Sequence, residues 1–157
     1  MRRIIPLLFT LLLVSACSSV DCPFNSTVAI KYVLGGEVDT LHDELTISAL
    51  RSDGTDTVIN SLSNTTYFEL PVSYNQPSDK LRFSFTDMTK TTIVDTVTIE
   101  KTDIPHFESV DCSPTFFHTI DHVSWTSHAI DSIVITKAQV TNDTSKGHLL
   151  LYLKRGH

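Results

Sequence analysis

Residues 27–34 read Thr27-Val28-Ala29-Ile30-Lys31-Tyr32-Val33-Leu34, and Gly35-Gly36 follow them. The large apolar and aromatic residues of this stretch fall at every second position from Val28 to Leu34. Successive side chains of a β-strand point to opposite faces, so this alternation is the pattern of a strand with one buried face. The two glycines end the run, because glycine weakens strands and favours turns. The stretch therefore predicts a half-buried first strand.

The same period of two recurs along the rest of the chain. Turn signals separate the repeats, and Asp53-Gly54 is a pair typical of a tight hairpin. No stretch of ten residues after residue 16 shows the apolar spacing of an amphipathic helix. The pattern predicts eight further strands, at residues 45–50, 57–62, 67–73, 80–87, 91–102, 115–125, 130–136 and 148–154.

Three local features modify this pattern. Pro71 lacks a backbone N–H, which confines its strand to a sheet edge or a bulge. Ile104-Pro105 breaks the alternation after residue 102. Asp95 stands among the apolar positions of the long strand at 91–102, where either a bulge or a sheet edge would explain it.

About nine short strands separated by turn signals are typical of a two-sheet β-sandwich. We therefore predict an all-β fold with immunoglobulin-like architecture, and a small antiparallel barrel is the alternative. Trp125 follows Cys112, whereas the tryptophan of antibody domains lies between two cysteines. The prediction therefore concerns the architecture and not the antibody family.

The N-terminus has the layout of a secretory signal peptide. Arg2-Arg3 precedes an apolar run over residues 4–13, and small residues follow before a cysteine. The run is shorter than the roughly 20 residues that span a bilayer. The stretch Leu13-Val14-Ser15-Ala16-Cys17 resembles the bacterial lipobox, which implies cleavage before Cys17 and attachment of lipid to it. Cys17 is then a lipidation site and not a redox or catalytic residue.

These features divide the chain into three parts: a signal peptide (1–16), a lipidated tether (17–25) and a single β-sandwich domain (26–157). A mature chain of about 140 residues has the usual size of one domain. Ser18-Ser19 stands where lipoproteins retained in the inner membrane commonly carry an aspartate, so the resemblance favours an outer-membrane lipoprotein. Asp21 is the single acidic residue of the tether, which favours the periplasmic face over surface export. The membrane is then a partner through the N-terminal lipid.

An acylated Cys17 leaves an even pair of cysteines, Cys22 and Cys112. Disulfides form in oxidising compartments, so we predict a Cys22 to Cys112 disulfide. The bond would close a loop of about 90 residues, to which the chain-entropy model assigns about 4.5 kcal/mol. Two free thiols are the alternative, because sequence spacing does not show whether the two Cα atoms approach within about 7 Å.

The charge pattern argues against nucleic acid as a partner. The net charge is −6, and no lysine or arginine cluster occurs outside the signal peptide and Lys154-Arg155. Binding to phosphates depends on such clusters. Charged residues are 19% of the chain, fewer than the roughly 25% of an average soluble protein.

The sequence carries no motif for a metal, a cofactor or a catalytic nucleophile. His118 and His122 share a strand face, but four residues of strand separate them by about 13 Å, too far for one zinc ion. His122 and His128 could meet across a turn, with oxygen from Asp121 or Asp131. No spaced metal motif, Gly-x-Ser-x-Gly elbow or glycine-rich phosphate loop occurs. We therefore expect no enzyme activity, no cofactor and no metal.

Two other groups of residues could form a site. The carboxylates of Glu37 and Asp39, or of Asp43 and Glu44, could flank a glycosidic bond, although solvated surface charge explains them more simply. Exposed aromatic rings with nearby amides bind sugars, and three groups qualify: Tyr67, Tyr74 with Asn75 and Gln76, and Trp125.

A short triplet also recurs: Asp, then Thr or Ser, then an aliphatic residue. It resembles the acceptor site of the general O-glycosylation system of Bacteroides-type bacteria, and a chain rich in Asp, Thr and Val also produces it by chance. Its use would imply passage across the inner membrane, which agrees with the lipobox. The candidate acceptors are Thr40, Thr57, Thr96 and Ser132.

The C-terminal third contains Asp111-Cys112 and Phe116-Phe117, then Asp121-x-Val123-x-x-Thr126, then Ile130-Asp131-Ser132-Ile133-x-Ile135. Together these residues resemble an uncharacterised family of small lipoproteins from Bacteroides-type bacteria, the domain of unknown function six-four-five-two. The Cys22 region resembles the first cysteine of that family. Ser113-Pro114 departs from the glycine and aromatic expected after Cys112. Because the family has no assigned activity, the resemblance implies a location and a fold but transfers no catalytic residue.

The expected function is therefore that of a non-enzymatic envelope lipoprotein, an accessory or interaction module held at the outer membrane by Cys17. Such a sandwich offers a strand edge or a loop end to a partner. An outer-membrane protein is the expected kind of partner. A glycan-binding lipoprotein is the alternative, followed by a hydrolase.

Overall fold

The computed structural model describes residues 28–51, 53–107 and 112–155. The predicted signal peptide and tether, and with them Cys17 and Cys22, lie outside the described residues. The described chain contains ten β-strands, and within it no helix is long and apolar enough to cross a membrane. The strands are β1 (Ala29–Gly35), β2 (Glu44–Leu50), β3 (Asp56–Leu62), β4 (Tyr67–Pro71), β5 (Ser78–Thr86), β6 (Thr92–His106), β7 (Thr115–Trp125), β8 (Ile130–Ile135), β9 (Gln139–Val140) and β10 (Leu149–Leu153).

The strands form two sheets. The four-stranded sheet has the order β4-β1-β10-β8, and the six-stranded sheet has the order β3-β2-β5-β6-β7-β9. In the part of the chain that the structure describes, neither sheet closes into a barrel. The fold is therefore a two-sheet β-sandwich, which confirms the predicted all-β, immunoglobulin-like architecture. The barrel alternative is wrong.

One core lies between the two sheets. Tyr32 of β1 stacks on Phe68 of β4 with ring centroids 4.8 Å apart, and both rings lie within about 6 Å of the ring of Phe83 on β5. Truncating a buried aromatic residue to alanine costs about 3–5 kcal/mol, so this cluster is a main link between the sheets. The alternation predicted for β1 is confirmed, because its inward residues are all buried: Val28, Ile30, Tyr32 and Leu34.

The first and last described strands are parallel neighbours at the centre of the four-stranded sheet. Tyr32 pairs with Leu149, and Gly35 pairs with Tyr152. His148 extends this pairing, because its backbone N–H donates to the carbonyl of Lys31 over 2.9 Å. Parallel strands need a long connection, so this pairing joins segments more than one hundred residues apart.

The two prolines of the pattern have different outcomes. Pro71 pairs with Ala29 at the end of β4, an edge strand of its sheet, as predicted. The break predicted at Ile104-Pro105 is wrong, because β6 continues to His106. β5 pairs with β6 only as far as Glu100, so beyond that residue β6 has β7 as its one partner among the described strands. A proline is tolerated where one side of a strand lacks a ladder partner.

Asp95 does not lie at a bulge, so that explanation is wrong. β6 is an inner strand of its sheet, but β7 pairs with it only from Val97 onward, so at Asp95 it has β5 as its one described neighbour. Asp95 pairs with Phe83 of β5, and its side chain is fully buried. Its carboxylate accepts hydrogen bonds from the backbone N–H groups of His128, Ala129 and Ile130 at 2.7–2.9 Å. A buried carboxylate is tolerated when its oxygens are satisfied in this way. A carboxylate is therefore found at this buried position because it binds the backbone of the loop between β7 and β8.

Candidate interaction surface

The outer face of the four-stranded sheet carries an unbroken line of apolar side chains, which we call the apolar row. Tyr67 of β4 lies opposite Val33 of β1, and Val33 lies opposite Leu150 of β10. Leu150 in turn lies opposite Val134 of β8, so the row crosses all four strands. Tyr67 is 50% exposed and Val134 is 45% exposed, whereas the two central residues are half-buried. The sequence neighbours of these residues face the core, and strand alternation therefore directs the row outward.

The outer face of the six-stranded sheet has a different composition. Thr98 of β6 lies between Lys80 of β5 and Ser124 of β7. One row along, Arg82 lies opposite Thr96 and forms an ion pair with Asp56. Hydroxyl and charged side chains of this kind are typical of a solvated sheet face. Contiguous exposed apolar side chains mark contact surfaces, so the apolar row is the better candidate for one.

A groove of about 720 Å³ lies beside the apolar row. Val33, Leu149 and Leu150 line one part of it, and residues of the segment 136–147 line the rest. The ammonium of Lys31 holds this segment against the sheet, because it donates to the carbonyl of Thr144 over 2.9 Å. The same ammonium lies 4.5 Å from the ring centroid of Tyr67, at one end of the row. The groove and the apolar row therefore form one continuous surface.

The charges around the groove are mostly compensated. Lys137 lies 3.2 Å from Asp143, and Lys31 lies 4.0 Å from Glu69. Hydrogen bonds from Ser145, together with that of Lys137, hold the pKa of Asp143 well below its usual range. Lys146 also lines the groove and is exposed, and no ion pair of the described residues includes it. The groove thus offers an uncompensated positive charge next to an apolar floor.

Two glycines allow this surface to pack closely. A Cβ atom at Gly147 would lie 2.6 Å from the Cγ2 atom of Val33. A Cβ atom at Gly36 would lie 2.8 Å from the ring of Tyr152, and the φ angle of Gly36 is +85°. Real Cβ atoms do not approach other atoms so closely, and other L-residues rarely adopt that angle. Both glycines are therefore needed for the observed packing of Val33 and Tyr152.

The four edge strands differ in how they are protected from pairing with other chains. β4 ends at Pro71, β9 has two residues, and β3 has an extra residue, Ile59, where its register with β2 shifts. Proline, shortness and bulges all discourage pairing at an edge. β8 contains neither proline nor lysine, and its irregularity is confined to Asp131. The β8 edge is therefore the least protected of the four.

The histidines do not form the metal site that the sequence left open. The ring of His128 bonds to Asp95 through Nδ1 at 2.9 Å, whereas His122 is exposed and lies opposite Glu100. His118 is buried, and its Nδ1 lies 2.7 Å from Asp103. Within the described ranges no three His, Cys, Asp or Glu side chains lie close enough together to hold a metal ion.

His118 belongs to a polar cluster inside the sandwich, which the sequence did not predict. The ammonium of Lys101 is fully buried and donates to Asp103 over 2.9 Å and to the carbonyl of Gln76 over 2.8 Å. Burial works to raise the pKa of Asp103, but hydrogen bonds from Lys101 and His118 outweigh it and hold that pKa below its ordinary value. A buried lysine is tolerated when it is paired in this way. The cluster accounts for its own charges, so we assign it a structural role.

The carboxylate pairs are engaged in local contacts. Glu37 forms a bidentate ion pair with Arg155, which holds the pKa of Glu37 below its usual value. Asp39 accepts a hydrogen bond from Thr40, and Glu44 accepts a weak one from Ser61. These contacts tie Glu37, Asp39 and Glu44 to neighbouring side chains.

The aromatic candidates occupy different places. Tyr67 belongs to the apolar row. Trp125 is half-buried, and its indole N–H lies 3.4 Å from the carbonyl of Asp131 at the start of β8. Tyr74 is 66% exposed and stacks on Phe116 with ring centroids 5.1 Å apart. Of the three predicted sugar sites, the one at Tyr74 therefore has an exposed aromatic ring beside amide side chains.

The remaining predicted sites stay predictions. Thr57 is exposed on β3, whereas Thr40, Thr96 and Ser132 are half-buried. Cys112 is half-buried and lies three residues before β7, and its predicted partner Cys22 lies outside the described residues.

The apolar row was not predicted, because the alternation in each strand indicates its buried face and not the neighbours of its outward residues. A signal for it was present, because residues 149–153 are all apolar or aromatic instead of alternating. Such a run indicates a strand with apolar side chains on both faces.

The fold and the apolar row define a β-sandwich protein with a line of apolar side chains across the outer face of its four-stranded sheet. A family model matches residues 44–153, and the chain belongs to that family, described as a family of unknown function (DUF6452). The comparison with curated proteins and the comparison with solved structures gave no match.

Proposed function

We propose that this protein is a lipid-anchored interaction module of the bacterial cell envelope, which binds a partner protein through the outer face of its four-stranded sheet. The observation that carries the proposal is the apolar row from Tyr67 to Val134, which contrasts with the polar outer face of the other sheet. The role that we propose is one of binding and not of catalysis.

The lipobox pattern ending at Cys17 supports the anchor.

The topology of the described strands supports the predicted disulfide. β1 starts beside Pro71, near the beginning of β5, and β5 begins opposite Glu100 of β6. Cys112 lies just before Thr115, which pairs with His106, the last residue of β6. Glu100 lies towards that same C-terminal end of β6. The start of β1 and Cys112 therefore lie at the same end of the sandwich. Cys22 is six residues from Val28, a reach of up to about 20 Å, which supports the predicted disulfide.

The partner we propose is an outer-membrane protein that presents an apolar segment with a carboxylate. The apolar side chains of that segment would cover Val33 and Leu150, and the carboxylate would lie near Lys146. An acidic segment suits the rim of the groove better than a basic one, because Lys146 is exposed there and belongs to no ion pair of the described residues. Nucleic acid is not the proposed partner, since the chain has a net charge of −6 and this rim holds few cations.

Photo-cross-linking in intact cells tests this proposal. A benzoylphenylalanine at position 67, which replaces an exposed aromatic of the row, should give an adduct with one envelope protein. The matched control is position 74, an exposed aromatic away from the row. Lys146→Glu should lower the yield of the adduct at position 67 about tenfold or more, which corresponds to about 1.4 kcal/mol of binding energy. Equal adducts at both positions, or no effect of Lys146→Glu, would overturn the proposal.

Glycan binding is a second candidate, favoured by the surroundings of Tyr74. A groove of about 580 Å³ near it is lined by Ser73, Asn75, Gln76 and Asp79. A ring with one open face next to amides is a common arrangement for holding a sugar. Binding of the full chain on a glycan array, lost in Tyr74→Ala and kept in Tyr67→Ala, would support this second function.

A further inference from the structure

We propose that two copies of this chain pair with each other through β8, antiparallel and about a twofold axis at Val134. The two four-stranded sheets would then join into one sheet of eight strands. This inference does not depend on the proposed function, because its main evidence is the open edge of β8, and it shares only Val134 with the apolar row.

The backbone of β8 has free hydrogen-bonding groups on its open side. The N–H of Thr136 donates to the carbonyl of His148 over 2.9 Å, which continues the pairing of β8 with β10. In an antiparallel pair, residues bonded to the neighbouring strand alternate with residues that point away from it. Ile133 and Ile135 therefore direct their N–H and C=O groups outward. β8 is at the edge of its sheet and pairs only with β10 among the described strands, so these outward groups face the open edge.

The start of β8 limits the register of the pairing. The carbonyl of Asp131 already accepts the indole N–H of Trp125. A twofold axis at Ile133 would place Asp131, whose carbonyl is already bonded, opposite Ile135 of the second copy. An axis at Val134 instead places Ile133 opposite Ile135 of the second copy, so both free residues of each chain pair. Because these are hydrogen-bonded positions, the pairing makes four backbone hydrogen bonds.

The same axis brings opposite charges together. With Val134 opposite itself, Asp131 lies opposite Lys137 of the second copy, and the contact occurs twice. Asp131 is exposed, and its carboxylate accepts a long hydrogen bond of 3.3 Å from the hydroxyl of Ser132. Lys137 pairs with Asp143 at 3.2 Å and lies just beyond the end of β8. This charge complementarity favours a second copy of the chain as the occupant of the edge.

The pairing also extends the apolar row. Val134 is the last residue of the row and is 45% exposed on the outer face. A residue on a twofold axis between antiparallel strands meets its own copy, and at a non-hydrogen-bonded position the two Cα atoms are about 4.5 Å apart. Val134 of one chain would therefore cover Val134 of the other, and the two rows would form one line across eight strands.

Cysteine cross-linking tests the geometry directly. In the full chain, Val134→Cys should form a disulfide-linked dimer under mild oxidation, because this separation suits a disulfide. The matched control is Val58→Cys, an exposed valine on the protected edge strand β3. Dimer yield at position 134 should exceed that at position 58 at least fivefold. Equal yields at the two positions would overturn the proposal.

Sedimentation equilibrium of the full chain in density-matched detergent gives a second readout. The unmodified chain should be a dimer, and Asp131→Lys should raise the dimer dissociation constant roughly tenfold, because two attractive contacts become repulsive. The double variant Asp131→Lys with Lys137→Asp should restore dimerisation. A monomer at all concentrations, or a double variant no tighter than the single one, would show that β8 does not pair in this register.

Discussion

The carboxylate of Asp95 in β6 accepts a hydrogen bond of 2.7 Å from the backbone N–H of Ala129, thirty-four residues later in the chain. A second bond of 2.8 Å comes from Ile130, and the hydroxyl of Thr126 and the ring of His128 also contact the carboxylate. One buried side chain therefore fixes the loop between β7 and β8. Because this loop connects the two sheets, Asp95 also determines where β8 begins.

We predict that Asp95→Asn lowers the free energy of unfolding by about 2–4 kcal/mol, since an amide would direct a donor at backbone N–H groups. Urea denaturation measures the loss. Glu100→Gln, an exposed change on the same strand, is the control and should be nearly neutral. A small effect of Asp95→Asn would show that the loop is held by other contacts.

Protonation of Asp95 should weaken the fold in acid. Burial favours the neutral acid, but the hydrogen bonds from Ile130, Thr126 and the rest of the loop outweigh it and hold the pKa of Asp95 below its usual value. A lowered pKa in the folded state contributes stability that is complete above the unfolded pKa of about 3.9 and is lost as the pH falls through the folded pKa. Thermal unfolding between pH 5 and pH 2 should show a smaller decline in Asp95→Asn than in the unmodified chain.

A second pH effect should arise at His148. Its Nδ1 accepts a hydrogen bond of 3.0 Å from the backbone N–H of Lys31. Its Nε2 is buried and has no hydrogen-bond partner among the described residues. Burial, reinforced by the charge of Lys137, lowers the pKa of His148, while Asp143 and Glu69 oppose that shift. The neutral ring is therefore the form that fits, and it contributes stability above a pH of about 6.5 that is lost as the pH falls through the folded pKa.

His148→Asn keeps an acceptor near the position of Nδ1 and removes the titration. The unfolding free energy of this variant should change less between pH 7 and pH 5 than that of the unmodified chain. His122→Asn replaces an exposed histidine and is the control. Parallel pH profiles for His148→Asn and the unmodified chain would contradict the prediction.

Gly36 and Gly54 form a matched pair for testing the outer face. Both have φ angles above +80°, but a Cβ atom at Gly54 would meet nothing within 4 Å, whereas one at Gly36 would meet Tyr152. We expect Gly54→Ala to cost about 1–2 kcal/mol from backbone strain. Gly36→Ala should cost about 1–3 kcal/mol more, because overpacking adds to the strain. Equal losses in chemical denaturation would mean that Tyr152 moves aside without cost.

The predicted disulfide can be tested through stability and thiol content together. Reduction of the full chain should lower the thermal midpoint by roughly 5–10 °C if the bond contributes about 2 kcal/mol. Cys22→Ser and Cys112→Ser should each match the reduced protein, and the double variant should be no worse. Titration of unfolded but unreduced protein should detect no reactive thiol from this pair. Two reactive thiols would refute the pairing.

The anchor prediction concerns Cys17. Cys17→Ser should abolish lipid attachment and leave an uncleaved or soluble protein with an unchanged fold. Mass spectrometry of the mature N-terminus decides the matter. An unmodified Cys17, or cleavage at another position, would remove the basis for placing the protein at the outer membrane.

The strand pattern was largely predictable from local sequence. The strand predicted at 115–125 is β7 itself, and the Asp53-Gly54 hairpin and the edge position of Pro71 are confirmed. Each of these depends on a short-range property: side-chain alternation, the left-handed backbone of glycine, or the missing N–H of proline. Pro105 was misjudged because its tolerance depends on where β5 stops, which is a property of another strand.

Side-chain alternation was enough to predict an all-β chain of short strands, because a period of two specifies strands wherever one face must be buried. It left open whether those strands form a sandwich or a barrel. The order of the strands in the two sheets, and therefore which outward residues meet, depends on long-range pairing that local patterns do not encode. Val33, Leu150 and Val134 are separated by up to 117 residues in the chain and become one apolar row through the pairing of β1 with β10 and of β10 with β8. The same holds for Asp95, whose hydrogen-bonding partners lie on a distant loop. Local patterns reveal which face of a strand is buried, but strand order depends on the free energy of packing the whole chain.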